Sequence, residues 1–353
     1  MEDYSFPYRT TMRLLLITQV VDSTNSSLGF FHSWIEKLAQ YFDSIDVICL
    51  FEGAHNLPEN VRIHSLGKEK GRGSKLMYSV RFLRLIWTLR HQYERVFVHM
   101  NQEYVLLGGL YWKLTGKKIY FWRNHYAGSL LTRMAVALSS IVFCTSAYSY
   151  TAKFKKTKLM PVGVDIERFK THTAEKKPRS ILFLGRMTPS KKPDVLLEAL
   201  ILLANQGIDF TVTFCGPVLP EDSTYVNSLK KRSLIISDHV TFIDGVPHTE
   251  TANIYSRHEI YVNLGASGMF DKTLFEAAAS GCLVIATSDD FQKRMEHSYH
   301  VSIQTAAELA VTLAHFLSLT PEDRKRIQTE QSAVAEKEGL EILIKKVASD
   351  ILA

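Results

Sequence analysis

Short runs of β-branched and aromatic residues alternate with stretches of helical periodicity along the chain, and this rhythm constrains the fold more than any other feature. The runs are "RLLLITQV", "SIDVICLF", "VRIHSL", "RVFVHM", "KIYFW" and "IVFCTS" in the first half, then "SILFLG", "FTVTFCG", "VTFIDG", "EIYVNL" and "CLVIAT". Helical patterns intervene at Phe30–Tyr41, Ser74–Gln92, Tyr104–Leu114, Pro193–Asn205, Ser223–Leu234 and Leu274–Ser280. Strand, helix and strand repeated in this way predict parallel sheets covered on both faces, an α/β architecture.

Length sets how many such sheets to expect. A chain of 353 residues, 46% hydrophobic and 22% charged, exceeds what one core usually serves, so two domains are predicted. The segment "IERFKTHTAEKKPRS", residues 166–180, is polar and lysine-rich with a proline near its end, and it reads as a linker. The predicted division is residues 1–165, the linker 166–180, and a second domain 181–353 that ends in charged helices from Pro321 onward. Two doubly wound Rossmann-like domains facing each other place a ligand in a central cleft, beyond the carboxyl ends of their strands.

The net charge of +6 is mildly basic. Without a motif or a concentrated basic groove it does not call for nucleic acid, but it suits a partner that carries phosphates or an anionic membrane surface. Cys49, Cys144, Cys215 and Cys282 lie far apart in apolar runs and have no metal-ligand spacing, so they read as reduced core residues, with no metal expected. The start, "MEDYSFPYRTTMRLLLITQVV", is a poor signal peptide, and no stretch reaches the roughly 18 apolar residues of a membrane span. A cytoplasmic protein is the expectation.

Candidate chemistry follows the strands. Arg186 and Lys191, in "GRMTPSKKP", put two cations on a strand-to-helix loop beside a helix N-terminus, a suitable place for a diphosphate. The alternative is an ordinary solvated loop. In "GMFDKTLFEAAASG", residues 268–281, the backbone around Asp271, Lys272 and Thr273 opens a helix toward an anion. Glu276, one turn in, can accept bonds from paired hydroxyls. Here the alternative is a capping Asp271 and a favourable first-turn acid.

His125, in "RNHYAG", follows the strand "KIYFW". Gly29, in "SSLGFF", opens the first long helix and leaves room for a phosphate at the backbone, although there is no G-x-G-x-x-G pattern for a dinucleotide. The Ser74–Gln92 helix carries Leu76, Val80, Leu83 and Trp87 at helical spacing, beside Arg72, Lys75, Arg81, Arg84 and Arg90. It reads first as a core helix with a charged outer side, and alternatively as a patch for anionic lipid.

In order and separation, these segments resemble the nucleotide-sugar-dependent glycosyltransferases of the GT-B fold, specifically the large retaining family four, over nearly the whole chain. "PVGVDIERF" resembles that family's P-N-G-V-D-x-x-x-F segment, with Val162 in place of Asn. "FLGRMTPSKKP" resembles F-x-G-R-x-x-x-x-K-G, with Lys192 where Gly is usual. "VTFIDGV" is similar to the strand and turn whose backbone reads the nucleobase, and "DKTLFEAAASGCLVIA" to the segment ending L-E-A-M-A-x-G-x-P-V.

The resemblance implies a donor that is a nucleotide diphosphate sugar, UDP- or GDP-linked, and no further cofactor. Arg186 and Lys191 match the pair that neutralises the leaving diphosphate without a metal. Glu276 matches the ribose-binding acid, and His125 a histidine near the transferred sugar. Gly185, Gly216, Val246, Lys272 and Thr273 fall at the matching donor-binding positions. Gly268 stands where the family commonly has a first Glu, and Asp271 is the carboxylate nearest in sequence to supply its role.

The implied reaction moves a hexose or N-acetylhexosamine, with retention, to a saccharide or polyprenyl-linked acceptor in cell-surface polysaccharide or glycoconjugate assembly. The basic helix would place such a protein peripherally at the inner face of the cell membrane. A nucleotide-sugar 2-epimerase and a non-catalytic GT-B binding subunit are the alternatives.

Overall fold

Each strand run finds parallel partners, and the helices between them supply the crossovers that parallel pairing requires. The computed structural model describes residues 11–25, 28–71, 73–172, 174–268, 271–295, 303 and 305–353; Arg72 lies outside them. The chain forms two units, residues 1–160 with 343–353, and residues 161–342.

Unit 1 contains β1 (Arg13–Val21), α1 (Phe30–Leu38), β2 (Ser44–Glu52), β3 (Val61–Ser65), α2 (Lys75–Thr88) and β4 (Arg95–His99). There follow α3 (Gln102–Leu114), β5 (Lys118–Trp122), α4 (Leu130–Leu138), β6 (Ile141–Cys144) and β7 (Thr157–Leu159). The sheet is wholly parallel in the order β3-β2-β1-β4-β5-β6-β7. The order reverses at β1 and β4, so the chain leaves their carboxyl ends in opposite directions and opens a crevice there.

Unit 2 contains α5 (Ile166–Thr171), β8 (Lys177–Leu184), α6 (Pro193–Asn205), β9 (Thr211–Cys215), α7 (Ser223–Ser233), β10 (Val240–Ile243) and α8 (Thr251–Ser256). It continues through β11 (His258–Asn263), α9 (Lys272–Ala279), β12 (Leu283–Ala286), α10 (Asp289–Gln292), α11 (Ala306–Ser318), α12 (Pro321–Glu336) and the start of α13 (Leu340–Leu352). Its parallel sheet runs β10-β9-β8-β11-β12, with the reversal at β8 and β11.

Burial on both faces is read directly from alternate side chains. Ile181, Phe183, Ile260 and Val262 enter one core with α6, α7 and α11, whereas Leu182 and Tyr261 enter the other with α8, α9 and α12. β12 is the outer strand, and Gln331 of α12 covers its edge. The side-chain amide accepts from Val284 N at 2.8 Å and donates to Val284 O at 3.0 Å.

The boundaries differ from the sequence expectation in two places. Residues 166–180 are not a linker: they hold α5 and the start of β8, because Phe169 is buried in the core of unit 2 and Asp165 caps α5. The second domain does not run to residue 353 either. α13 buries Leu343, Ile344, Val347, Ala348 and Ile351, and its last turns belong to unit 1. Tyr120 of β5 donates to the Ile351 carbonyl there, and Lys158 pairs with Asp350 at 2.5 Å.

A third difference concerns α2. Its buried residues are Phe82 and Ile86, while Leu76, Val80, Leu83 and Trp87 are 74%, 57%, 42% and 58% exposed. The helix carries two apolar stripes, and the one with Phe82 meets the core formed by Tyr104 and Trp112. The four cysteines are buried and form no disulfide. Among the described residues no helix is long and apolar enough to cross a membrane.

Candidate functional site

In both units the sequence-predicted side chains gather at the strand ends where the sheet order reverses. In unit 2 the loop after β8 begins at Gly185, which packs on Gly216 after β9 so closely that a Cβ on Gly216 would lie 1.7 Å from the Gly185 carbonyl oxygen. Gly216 is therefore required by the approach of two strand ends, whereas a Cβ on Gly185 would meet nothing within 4 Å. The loop then makes a turn at Pro189–Lys191 and enters α6 through Lys192, whose φ of 54° is left-handed. That conformation favours glycine, the residue expected by resemblance at this position, and costs a lysine about 1 kcal/mol.

Lys191 reaches back across the sheet end to Asp271, with Nζ 2.6 Å from Oδ2 and both side chains largely buried. The same Oδ2 accepts from Asn263 Nδ2 of β11 at 2.9 Å, and Thr273 Oγ1 donates to Oδ1. Tyr261 OH donates to Thr273 Oγ1 at 2.7 Å and completes the cluster. Burial works to raise the Asp271 carboxyl, but the Lys191 charge and the bonds from Lys191, Thr273 and Asn263 outweigh it and hold it below the usual carboxylate range. Asp271 sits at the N-cap of α9, but its side chain accepts no capping bond from the helix backbone. It positions Lys191 instead. Arg186, on the same loop, is exposed and makes no ion pair among the described residues.

One turn into α9, Glu276 is buried with both oxygens engaged: Oε1 is 3.2 Å from His248 Nε2, and Oε2 accepts from Tyr255 OH at 3.3 Å. Arg168 of α5 approaches His248 Nδ1 at 3.2 Å and also donates to the His248 carbonyl. A guanidinium only donates, so Nδ1 is the acceptor; in the neutral ring the proton is on Nε2, aimed at Glu276. Each carboxylate oxygen keeps acceptor capacity for another donor. Sequence reasoning missed Arg168, His248 and Tyr255. The available cue was that His248 closely follows the strand run "VTFIDG", as the other candidates follow theirs.

Lys272 is buried and donates to the Gly163 carbonyl, tying the "PVGVD" segment to the head of α9. Burial lowers its pKa to about 7, against the opposing charges of Glu276 and Asp165. Val246 follows β10, half-buried against the α8–α9 core.

Gly29 and His125 belong to unit 1. A Cβ on Gly29 would meet the Asn25 and Ser23 carbonyl oxygens at 2.5 and 3.0 Å, so the loop's own backbone accounts for this glycine. His125 lines a cavity of about 250 Å³ at the ends of β1, β4 and β5, with Gln19, His99, Asn101, Arg123 and Asn124. Ala127 N–H donates to His125 Nδ1 at 2.9 Å, so in the neutral ring Nε2 carries the proton.

Comparison with known proteins places this geometry. Residues 164–332 match the family model for glycosyl transferases group 1. The chain is 26% identical to spore coat protein SA of Bacillus subtilis (strain 168) over 175 residues, which is 43% of this chain and 46% of that protein. It is 30% identical over 138 residues to the UDP-N-acetylglucosamine–peptide N-acetylglucosaminyltransferase GtfA subunit of Streptococcus pneumoniae, covering 38% of this chain and 26% of that one. The matches thus span less than half the length of these curated relatives. Among solved structures, Anabaena Alr3699/HepE in complex with UDP and glucose aligns with a TM-score of 0.76 and 17% identity over 97% of this chain and 100% of that one. The fold is GT-B.

Proposed function

We propose that this protein, whose residues 164–332 match the glycosyl transferases group 1, is a glycosyltransferase using a nucleotide diphosphate sugar, UDP- or GDP-linked, as donor. The observation that carries the reading is the buried Lys191–Asp271 pair at the end of β8, on the same loop as the uncommitted Arg186. Two cations at a strand end beside the start of α9 suit a diphosphate. The neighbour solved with UDP and glucose supports a uridine donor.

In this proposal Arg186 and Lys191 stabilise the negative charge that grows on the departing diphosphate, in the role a metal plays elsewhere. Glu276, aimed by His248 and Tyr255, accepts the ribose hydroxyls. Gly216 and Val246 present backbone to the base, and Lys272 and Thr273 hold the head of α9 in place. His125 orients the transferred sugar. The acceptor oxygen bonds to the anomeric carbon as that carbon's bond to the diphosphate breaks. The acceptor proton passes to the leaving phosphate oxygen, on the face the donor vacates, with retention. The transferred group is a hexose or N-acetylhexosamine and the acceptor a saccharide or polyprenyl-linked sugar of the cell surface.

The exposed stripe of α2 extends the reading to a peripheral position on the inner face of the cell membrane. That helix bears Lys75, Arg81 and Arg84 and no acid, beside Leu76, Val80, Leu83 and Trp87. Release of nucleoside diphosphate from a panel of UDP- and GDP-sugars tests the activity. Slow hydrolysis of one donor, lost in Arg186→Ala, is expected. Failure to turn over any donor, with or without saccharide acceptors, contradicts it.

A further inference from the structure

The unit 1 cavity contains a charge that pairs with no acid among the described residues. Arg123, just after β5, is the one lining residue with a fixed charge among the described residues, and none of those residues is an acid. The guanidinium donates from Nη1 to the Ala127 carbonyl at 3.1 Å and forms no ion pair among the described residues. Burial lowers its pKa, and Glu103 and Tyr150 act on it in the opposite direction without pairing. A guanidinium offers five donors, and here most are uncommitted. Half-burying an unpaired cation is unfavourable unless a ligand brings the anion.

The surrounding groups fit a sugar. The side-chain amides of Gln19 and Asn101 have no hydrogen-bond partner among the described residues and are left for sugar hydroxyls. The backbone that holds Arg123 and His125 is fixed from behind. Thr145 N donates to Asn124 Oδ1 at 2.6 Å, and Thr151 Oγ1 donates to the Arg123 carbonyl at 2.9 Å. At about 250 Å³ the cavity is below the roughly 300 Å³ where pockets for drug-sized ligands begin, which suits a single ring.

We propose that this cavity is a subsite for an acidic acceptor sugar, one bearing a carboxylate or phosphate, and that Arg123 reads the anion. The proposal rests on the glycosyltransferase reading, and it adds the acceptor's chemical class. Titration of the full chain with glucose, glucuronic acid, glucose 6-phosphate and inorganic phosphate tests it, using Arg123→Gln and Arg123→Lys beside the wild type.

At least one acidic sugar is expected to bind about tenfold or more tightly than glucose. The acid that wins distinguishes carboxylate from phosphate. The preference collapses in Arg123→Gln and shrinks in Arg123→Lys, which keeps the charge but loses the fork; if the glutamine variant does not fold, the lysine variant decides. Glucose binding as well as both acids overturns the proposal, as does a preference unchanged by the substitutions, or inorganic phosphate binding as tightly as the acidic sugars. UDP and GDP titrated into the same protein separate the two readings. Binding of UDP or of GDP without an acid preference removes this inference alone, and absence of binding by both nucleotides removes the donor reading.

Discussion

Lys272 and Glu276 lie one turn apart in α9, both buried, and burial works against the charged form of the lysine. Its amine titrates at about 7 in the folded protein and near 10.4 when unfolded. Between those values the unfolded chain binds more protons, so this residue makes stability rise with pH, by up to about 1.4 kcal/mol per unit. Denaturant unfolding between about pH 7 and 9 should therefore show a shallower rise in Lys272→Met than in the wild type. Equal slopes would mean that the ammonium is accommodated.

The bonds to Glu276 support a second residue-scale prediction. His248→Ala should weaken UDP binding about tenfold while barely changing 2′,3′-dideoxy-UDP binding, because the aim of Glu276 toward the ribose is what is lost. Equal losses for both nucleotides would contradict that role. Lys191, Asp271 and Glu276 were legible because each follows a strand run in sequence. Arg168, His248 and Tyr255 were not: they converge from α5, the loop after β10, and α8, and only tertiary packing unites them.

Among the elements, α2 separates what a pattern can and cannot decide. Periodicity identified a helix starting at Ser74, which the structure shows to be its N-cap, with Oγ accepting from Met77 N. It could not choose between two apolar stripes, since that choice depends on where α3 presents Tyr104 and Trp112. Trp87→Ser and Leu76→Ser should each change stability by less than about 0.5 kcal/mol, whereas Phe82→Ala should cost about 3–5 kcal/mol. The same two serine variants should sediment less with anionic liposomes at low salt. Wild-type protein that stays in the supernatant would remove the membrane reading.

Most strand runs were legible to within a residue or two because buried parallel strands concentrate β-branched residues. β7 is too short to show a pattern, whereas α11 was missed although its start carries a Thr305–Glu308 capping box.

In each unit a parallel sheet reverses its strand order once, and each reversal collects polar side chains that the cores do not need. The α/β class and the two-domain count follow from rhythm and length. The return of α13 to unit 1 does not, because its apolar face reads equally well as packing on either sheet.

The central claim is that the end of β8 is a diphosphate site, and calorimetric titration of UDP and GDP into the wild type and Arg186→Ala tests it most directly. Arg186 is exposed and supports no part of the fold, so the variant should stay folded. The account predicts that one nucleotide binds, and that Arg186→Ala weakens it about tenfold or more with thermal stability unchanged. Binding of neither nucleotide, or equal binding by both proteins, would contradict it.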